Sequence, residues 1–568
     1  MIDFSGAPFH LTAADTAWVH DTLSGMSLED KVGQVFCLVN SQRDAYGLSA
    51  LIKEARPGAI MHRAGDSAAI QEASRVIQEA SDIPLLIAAN LESGGNGICD
   101  QGTYFAKPLQ VAATGQTLHA WRLGKVAAIE GAALGCNWSF APVADIDFNW
   151  RNPITNVRTF GANPDTVADY CAAYLRGARE AGVPMAVCPK HFPGDGVDER
   201  DHHLLASVNH LDESHWEESY GKVYRRMIRE GAQSIMAGHI LAPALERAIH
   251  PDIKEEAMLP ASQSPGLLTG CLRGRLGFQG VIVTDATPMV GFQTHLPRAK
   301  AMRAALMAGA DMLLFTKNRN EDYAAILDGL KDGGVTLERL DEAVSRVLAM
   351  KASLKLHELK RAGKLVPTKD SLKLVGGREH QDWSKECAEQ GITLVRDKEG
   401  LLPLNPAKTR RVRLVVLGED GNGSFGDNAL IGERLAASLR AQGFEVLPYD
   451  SASLERGEIF TSGIADLKNK FDLCLIAANV ATGSNLTTRR VDWISLMAAN
   501  APWFVRDIPT VFVSFANPYH LFDVPYIGTF INAYSNNLAT VQACVKKLCG
   551  HKPFMGTSPV APHPVLYS

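Results

Sequence analysis

Residues 183–196 read Val-Pro-Met-Ala-Val-Cys-Pro-Lys-His-Phe-Pro-Gly-Asp-Gly. The apolar run Val183 to Val187 gives way to an ammonium and an imidazole, Lys190 and His191, and then to a turn with glycine at 194 and 196. Glycine adopts backbone angles that β-carbon-bearing residues avoid, so the segment reads as a core strand whose carboxyl end opens into a mobile loop. Polar groups gathered at one end of a buried strand point to a parallel α/β fold, in which strands are covered on both faces.

The pattern repeats outward from there. Apolar runs at Gln34–Val39, Gly58–Met61, Pro84–Ala89, Cys136–Ala141, Pro184–Pro189, Ser234–Ala237, Val281–Thr284 and Asp311–Phe315 alternate with amphipathic stretches such as Ala68–Ala80, Thr166–Ala181, Glu213–Glu230 and Arg298–Ala308. About eight such units over roughly 250 or more residues predict a (β/α)8 TIM-like barrel. An open doubly wound sheet is the alternative, but no Gly-x-Gly-x-x-Gly turn follows the first strand. A barrel places its chemistry at the carboxyl ends of its strands. Asn90 and Glu92 follow the third strand, Asp145 and Asp147 the fourth, Lys190 and His191 the fifth, His239 the sixth, and Asp285 ends the seventh.

At 568 residues the chain exceeds one ordinary core. The barrel is expected over 1–350, a basic linker over 351–380, and a smaller doubly wound α/β/α sandwich over 381–568, with strands near Arg413–Leu417, Glu445–Pro448, Leu473–Ala478, Thr510–Ser514 and Thr529–Asn532. A net charge of −5 is small for this length and favours neither nucleic acid nor an anionic membrane as partner. Ten cysteines without a CxxC imply no disulfide framework and a reducing compartment. The opening residues lack a signal-peptide pattern and no apolar run could span a bilayer, so a cytoplasmic location is expected.

Asp285 closes a run of small and apolar residues. A carboxylate at a buried strand tip needs partners, either catalytic or as a helix cap or arginine pair. Asp201 and His203 stand two apart on an extended segment, so an aspartate could fix the tautomer of the ring beside it; a solvated polar loop is the plainer reading. Lys190 either lines a pocket or is salt-bridged to a neighbouring strand. Arg158 could give paired bonds to sugar hydroxyls or start a helix. The glycine-rich Glu92–Gly97 lacks the Lys-Ser/Thr ending of a phosphate loop. Trp138, Phe140, Phe160 and Phe292 could stack on a sugar but are equally core residues.

Together these segments resemble glycoside hydrolase family 3, in particular its bacterial β-N-acetylhexosaminidases with an aspartate–histidine dyad. The resemblance runs from Met26–Gln34 through Asn156–Gly161, Lys190–Gly196, Gly238–Ile240 and Leu276–Asp285 to Gly391–Val395, Leu401–Leu404 and Phe554–Val560. It implies a retaining, exo-acting hydrolase that releases terminal β-N-acetylglucosamine from muropeptide or chitin fragments and needs no cofactor or metal. By the same resemblance Asp285 is the nucleophile, and His203, oriented by Asp201, is the acid/base. The family's D-x-H motif selects His203 over His202. Arg158, Lys190, His191, Asn90, Glu92 and His239 fall on substrate-binding positions, and the loop is expected to close over the aglycone.

The chain departs from the family pattern at Asp195, where the hexosaminidases usually carry histidine, at Asn90, where the family has aspartate, and at Ala286–Met289. A β-glucosidase or β-xylosidase would draw its acid/base from a second-domain glutamate, yet 481–490 contains none; Glu419 or Asp420 could substitute. A phosphorylase is a third reading, since a histidine acid/base lets phosphate replace water. A barrel metallohydrolase built on His191, His203, His239 and Asp285 is the most distant.

Overall fold

The computed structural model describes residues 2–40, 44–419, 430–449, 461–494 and 498–563, which group into two compact units. The first comprises Met1–Phe105, Ala120–Thr155 and Ala162–Gln381; the second comprises Ala106–His119, Asn156–Gly161 and Asp382–Ser568.

The first unit is a parallel β-barrel ringed by helices. Its strands are β1 (Phe36–Val39), β2 (Ala59–Met61), β3 (Leu86–Ala89), β4 (Trp138–Ser139), β5 (in two pieces, Ala186–Val187 and Lys190–Phe192), β6 (Ser234–Ala237), β7 (Val281–Ala286) and β8 (Met312–Leu314). Neighbours in sequence are neighbours in the sheet, and β8 returns to pair with β1. The break in β5 closes the ring. Ala186–Val187 pairs with β4, and Lys190–Phe192 pairs with β6. Val, Ile, Leu and Ala fill these strands because both faces are covered, and almost every strand residue is buried.

Sequence also sets the helix starts. Thr12 with Asp15 and Ser27 with Asp30 form capping boxes, Asp66 caps Ser67–Ala80, and Asn163 caps Pro164–Arg179 with proline in its first turn. Such caps stabilise a helix end by about 1 kcal/mol each. The expected helix Glu213–Glu230 contains a π-helical turn at Glu217–Gly221. That turn carries Tyr220, which packs beneath the loop after β5.

Residues 351–380, read as a linker from their basic composition, carry the helical pieces Leu356–Arg361 and Lys369–Leu374 and group with the first unit.

The second unit holds a six-stranded sheet. Its strands are β9 (Thr393–Asp397), β10 (Arg411–Leu417), β11 (Glu445–Pro448), β12 (Leu473–Ala478), β13 (Thr510–Ser514) and β14 (Thr529–Asn532). β9 is antiparallel to β14, and the other pairings are parallel. Strand alternation builds two cores. Leu473, Leu475 and Ala477 face one with Leu435 and Val541, while Cys474, Ile476 and Ala478 face the other with Phe471 and Phe512. This is the doubly wound sandwich, with one antiparallel edge strand that the apolar pattern did not reveal.

No helix among the described residues is long and apolar enough to cross a membrane. Nine of the ten cysteines are buried, where each behaves as a small hydrophobe.

Candidate active site

β7 delivers Asp285 to the carboxyl end of the barrel. Its side chain is almost fully buried, and Oδ1 accepts a 2.7 Å bond from the Ala286 amide. Oδ2 faces two imidazoles, lying 3.7 Å from His191 Nε2 and 3.3 Å from His202 Nε2. Burial alone would raise this carboxyl, but close contact with His202 and its charge, together with the electrostatic influence of the His191 and His239 rings, hold it well below the usual carboxylate range. Asp285 is therefore an anion at neutral pH.

β5 supplies Lys190 and His191, both buried. His191 Nδ1–H donates to Asp145 Oδ2 at 2.7 Å, and the same carboxylate accepts the backbone amides of His191 and Asp195. Burial depresses the His191 ring below the usual histidine range despite Asp145. Lys190 Nζ lies 2.7 Å from Glu92 and donates to Asn90 at 3.2 Å. The salt-bridge reading of Lys190 is thus the observed one, and it gathers Lys190, Glu92 and Asn90 into one polar group. His239 is fully buried with both ring nitrogens engaged, Nδ1 by Ser262 and Nε2 by the Ala286 carbonyl. Burial pushes it down to about 4, so the neutral ring buttresses the tip of β7 rather than presenting a free nitrogen.

The loop after β5 is not the open, mobile segment that its glycines suggested. Residues 191–198 are all buried. Gly194 and Gly196 have φ of +123° and +107°, and a β-carbon at either would collide, with the Tyr220 ring in one case and the Ile146 carbonyl in the other. Asn152 donates to Asp195 Oδ1 at 2.7 Å and to the Asp198 carbonyl, Asn209 donates to the Gly194 carbonyl, and Asp198 accepts the Val208 amide. The loop is then stitched to the barrel by Ser207–Val208 pairing with Ile240–Leu241. Only near Glu199, Arg200 and Leu204 does it reach solvent.

This packing fixes the two adjacent histidines. His203 Nδ1–H donates to Asp201 Oδ1 at 2.7 Å, and its amide donates to the same oxygen at 2.8 Å. Its side chain keeps 18% exposure, and Nε2 has no hydrogen-bond partner among the described residues. Burial and the neighbouring His202 charge lower its proton affinity, opposed by Asp201. His202 points the other way and is fully buried, with Nδ1 3.2 Å from Asp195 and Nε2 3.3 Å from Asp285. The two rings are 4.9 Å apart between centroids. The Val290 amide, just beyond β7, donates to the His203 carbonyl, so the dyad and Asp285 are tied into one cluster.

The sequence reading singled out Asp285, His203, Asp201, Lys190, His191, Asn90, Glu92 and His239, and all lie in the first unit. Arg158 lies in a short 3-10 turn, Asn156–Arg158, that groups with the second unit. His202 was set aside in favour of His203, and Asp145 was noted only for its strand end. The signal that could have found His202 was the Asp195 departure seven positions earlier in the same loop region. Trp138, Phe140 and Phe292 are fully buried core residues rather than stacking platforms. Glu419, the alternative acid, accepts the Gly432 amide at 2.7 Å, and Asp420 lies outside the described residues. Ligand atoms that converge closely are those of His191, His202 and Asp285, not the set His191, His203, His239 and Asp285.

The model of the glycosyl hydrolase family 3 N-terminal domain matches residues 27–350. The chain belongs to glycosyl hydrolase family 3. It is 41% identical over 562 residues to a β-N-acetylglucosaminidase/β-glucosidase of Cellulomonas fimi, covering 99% of this chain and 98% of that one. Among solved structures it resembles the β-glucoside phosphorylase BglX bound to 2FGlc, with TM-score 0.92, 43% identity and 98% coverage of both chains. A family 3 β-N-acetylglucosaminidase from Paenibacillus sp. str. FPU-7 superposes with TM-score 0.79 at 26% identity, covering 95% of this chain and 99% of that one. The family 3 enzyme described here is a glycosidase acting on carbohydrate.

Proposed function

We propose that this enzyme cleaves terminal β-N-acetylglucosaminides and β-glucosides with retention, and that it passes the sugar to inorganic phosphate in preference to water. Asp285 attacks the anomeric carbon as the glycosidic C–O bond breaks, and His203 Nε2 gives its proton to the departing oxygen. Phosphate oxygen then attacks the same carbon, the ester to Asp285 breaks, and the carboxylate is regenerated with a glycosyl phosphate as product. Lys190, Glu92, Asn90 and His191 are the candidate groups for the sugar hydroxyls.

The observation that carries this reading is the Asp201–His203 dyad with its free Nε2, on the same turn as His202, whose Nε2 lies 3.3 Å from the buried Asp285 carboxylate. After protonating the leaving group, an imidazole is neutral. A carboxylate acid/base would be an anion at that moment and would repel phosphate by about 4 kcal/mol per charge pair at 4 Å and an effective dielectric near 20. The names of two relatives similar over nearly the whole chain, a β-glucoside phosphorylase and a β-N-acetylglucosaminidase/β-glucosidase, support the same reading.

The test is a panel of aryl β-glycosides (N-acetylglucosaminide, glucoside, xyloside) with and without phosphate, with products identified. Glycosyl phosphate of retained configuration is expected from the first two. Free sugar as the sole product at saturating phosphate would overturn the acceptor assignment and leave a hydrolase for terminal N-acetylglucosamine. An inverted product would overturn the mechanism.

A further inference from the structure

His202 has no part in the dyad, yet it is the side chain nearest the Asp285 carboxylate. Each of its ring nitrogens lies within 3.3 Å of a different carboxylate, Asp195 on one side and Asp285 on the other. A neutral imidazole has one N–H and one lone pair, so it could serve only one of them and would turn its lone pair against the other. Neither contact has hydrogen-bond geometry, so what an imidazolium supplies to both carboxylates is its charge, as ion pairs at 3.2 and 3.3 Å. The remaining groups around it are the rings of His191 at 5.0 Å, His203 at 4.9 Å and His239 at 6.3 Å, together with Asp201 on its own loop.

We propose that His202 is a positioning residue carrying a standing positive charge between Asp195 and Asp285, and that this charge keeps the nucleophile ionised and lowers the proton affinity of the His203 acid/base, so that its imidazolium gives up the Nε2 proton readily to the leaving group. The assignment rests on the proposed roles of Asp285 and His203. Asp195 is what keeps the cation in place through the catalytic cycle. When Asp285 becomes an ester it loses its charge, and His202 would be a lone buried cation without the second carboxylate behind it. Asn152 and the Gly196 amide in turn donate to Asp195 Oδ1 at 2.7 Å, leaving Oδ2 for the ring. The replacement of the family's usual histidine by Asp195 and the presence of a histidine at 202 are thus one device, a counter-ion and its cation. Burial would lower His202, but contact with Asp285 and the charges of Asp195 and Asp201 push it up to about 9. The ring therefore stays charged through the working pH range.

The experiment is the pH dependence of kcat/KM for an aryl glycoside with wild type, His202→Gln and Asp195→Asn. A cation beside two ionising groups lowers both, so its removal in His202→Gln should move the acidic limb (Asp285) and the basic limb (His203) upward together, each by about one to two pH units. Asp195→Asn should give a smaller shift in the same direction, appearing only above the lowered His202 titration. A role confined to packing would scale the profile without moving its limbs. Limbs that stay in place in a folded His202→Gln overturn the proposal. Should that variant fail to fold, 15N-histidine spectra of the full wild-type chain decide the matter. They must contain a ring protonated on both nitrogens at pH 8 that becomes neutral in Asp195→Asn, and its absence overturns the proposal. Trapping with a 2-fluoro glycoside separates the two levels of inference. A label on a residue other than Asp285 defeats the catalytic assignment, whereas unmoved limbs with the label on Asp285 defeat only the role of His202.

Discussion

Replacing His203 by alanine removes an imidazole whose Nε2 is open while its Nδ1 is anchored, at 2.7 Å, to a carboxylate. The ring is only 18% exposed and packs on His202 at 4.9 Å, so the chemical loss is read from its dependence on the leaving group rather than from the overall drop in rate. A positioned general acid contributes roughly 100- to 10,000-fold, or about 3–5.5 kcal/mol of barrier. That full penalty applies to substrates whose leaving group must be protonated, such as an alkyl glycoside or a disaccharide. A dinitrophenolate departs without a proton, so its cleavage should fall by no more than about tenfold. The second step divides in the same way. Water needs His203 as base, whereas phosphate brings an ionised oxygen, so the covalent intermediate should persist in water and be discharged by added phosphate or azide. The assay is kcat/KM across a series of aryl leaving groups, with burst kinetics and circular dichroism to confirm folding. Equal losses across the series would refute the reasoning, because a residue that only shapes the pocket has no cause to sense leaving-group acidity.

Asp285→Ala should abolish turnover and leave no trappable intermediate, as measured by intact-mass analysis after incubation with a 2-fluoro glycoside; a labelled variant would exclude Asp285 as nucleophile. Gly194→Ala places a β-carbon in the buried Tyr220 ring at a φ of +123°, so thermal denaturation should show a loss of more than about 2 kcal/mol together with reduced kcat, because the same loop holds Asp195, Asp201 and both histidines. Stability should fall on the alkaline side. His202 is raised in the folded state from 6.5 to about 9, so its contribution, roughly 3 kcal/mol, is complete below pH 6.5 and is lost as pH rises through about 9. A melting temperature that declines over that window in wild type but stays level in His202→Gln is the expected outcome. Asp285 acts in the opposite sense: its stabilisation is present above its ordinary value of 3.8 and is lost only on acidification well below that.

Much of this enzyme was legible in one dimension. The barrel strands were found because burial on both faces demands short runs of Val, Ile, Leu and Ala, a local property that the sequence displays directly. Asp285, Lys190 and His191 were found because barrel geometry fixes which end of a strand carries chemistry. β9 was missed as a strand because it is an antiparallel edge with a mixed burial pattern. The region 351–380 reads as a linker because charged residues on a helix surface give the same composition as one.

The sequence alone determined the two α/β architectures, the family and the adjacency of Asp201, His202 and His203, because these depend on periodicity and spacing along the chain. Only tertiary structure decided which histidine keeps some exposure to solvent and which faces the Asp285 carboxylate. That choice depends on how Tyr220, Asn152 and Asn209, distant in sequence from one another, bury the Gly-Asp-Gly turn. No local pattern encodes it: the histidines lie on a turn closed by the Leu204 and Leu205 amides on the Asp201 carbonyl, and only the surrounding packing determines which side of that turn is inward.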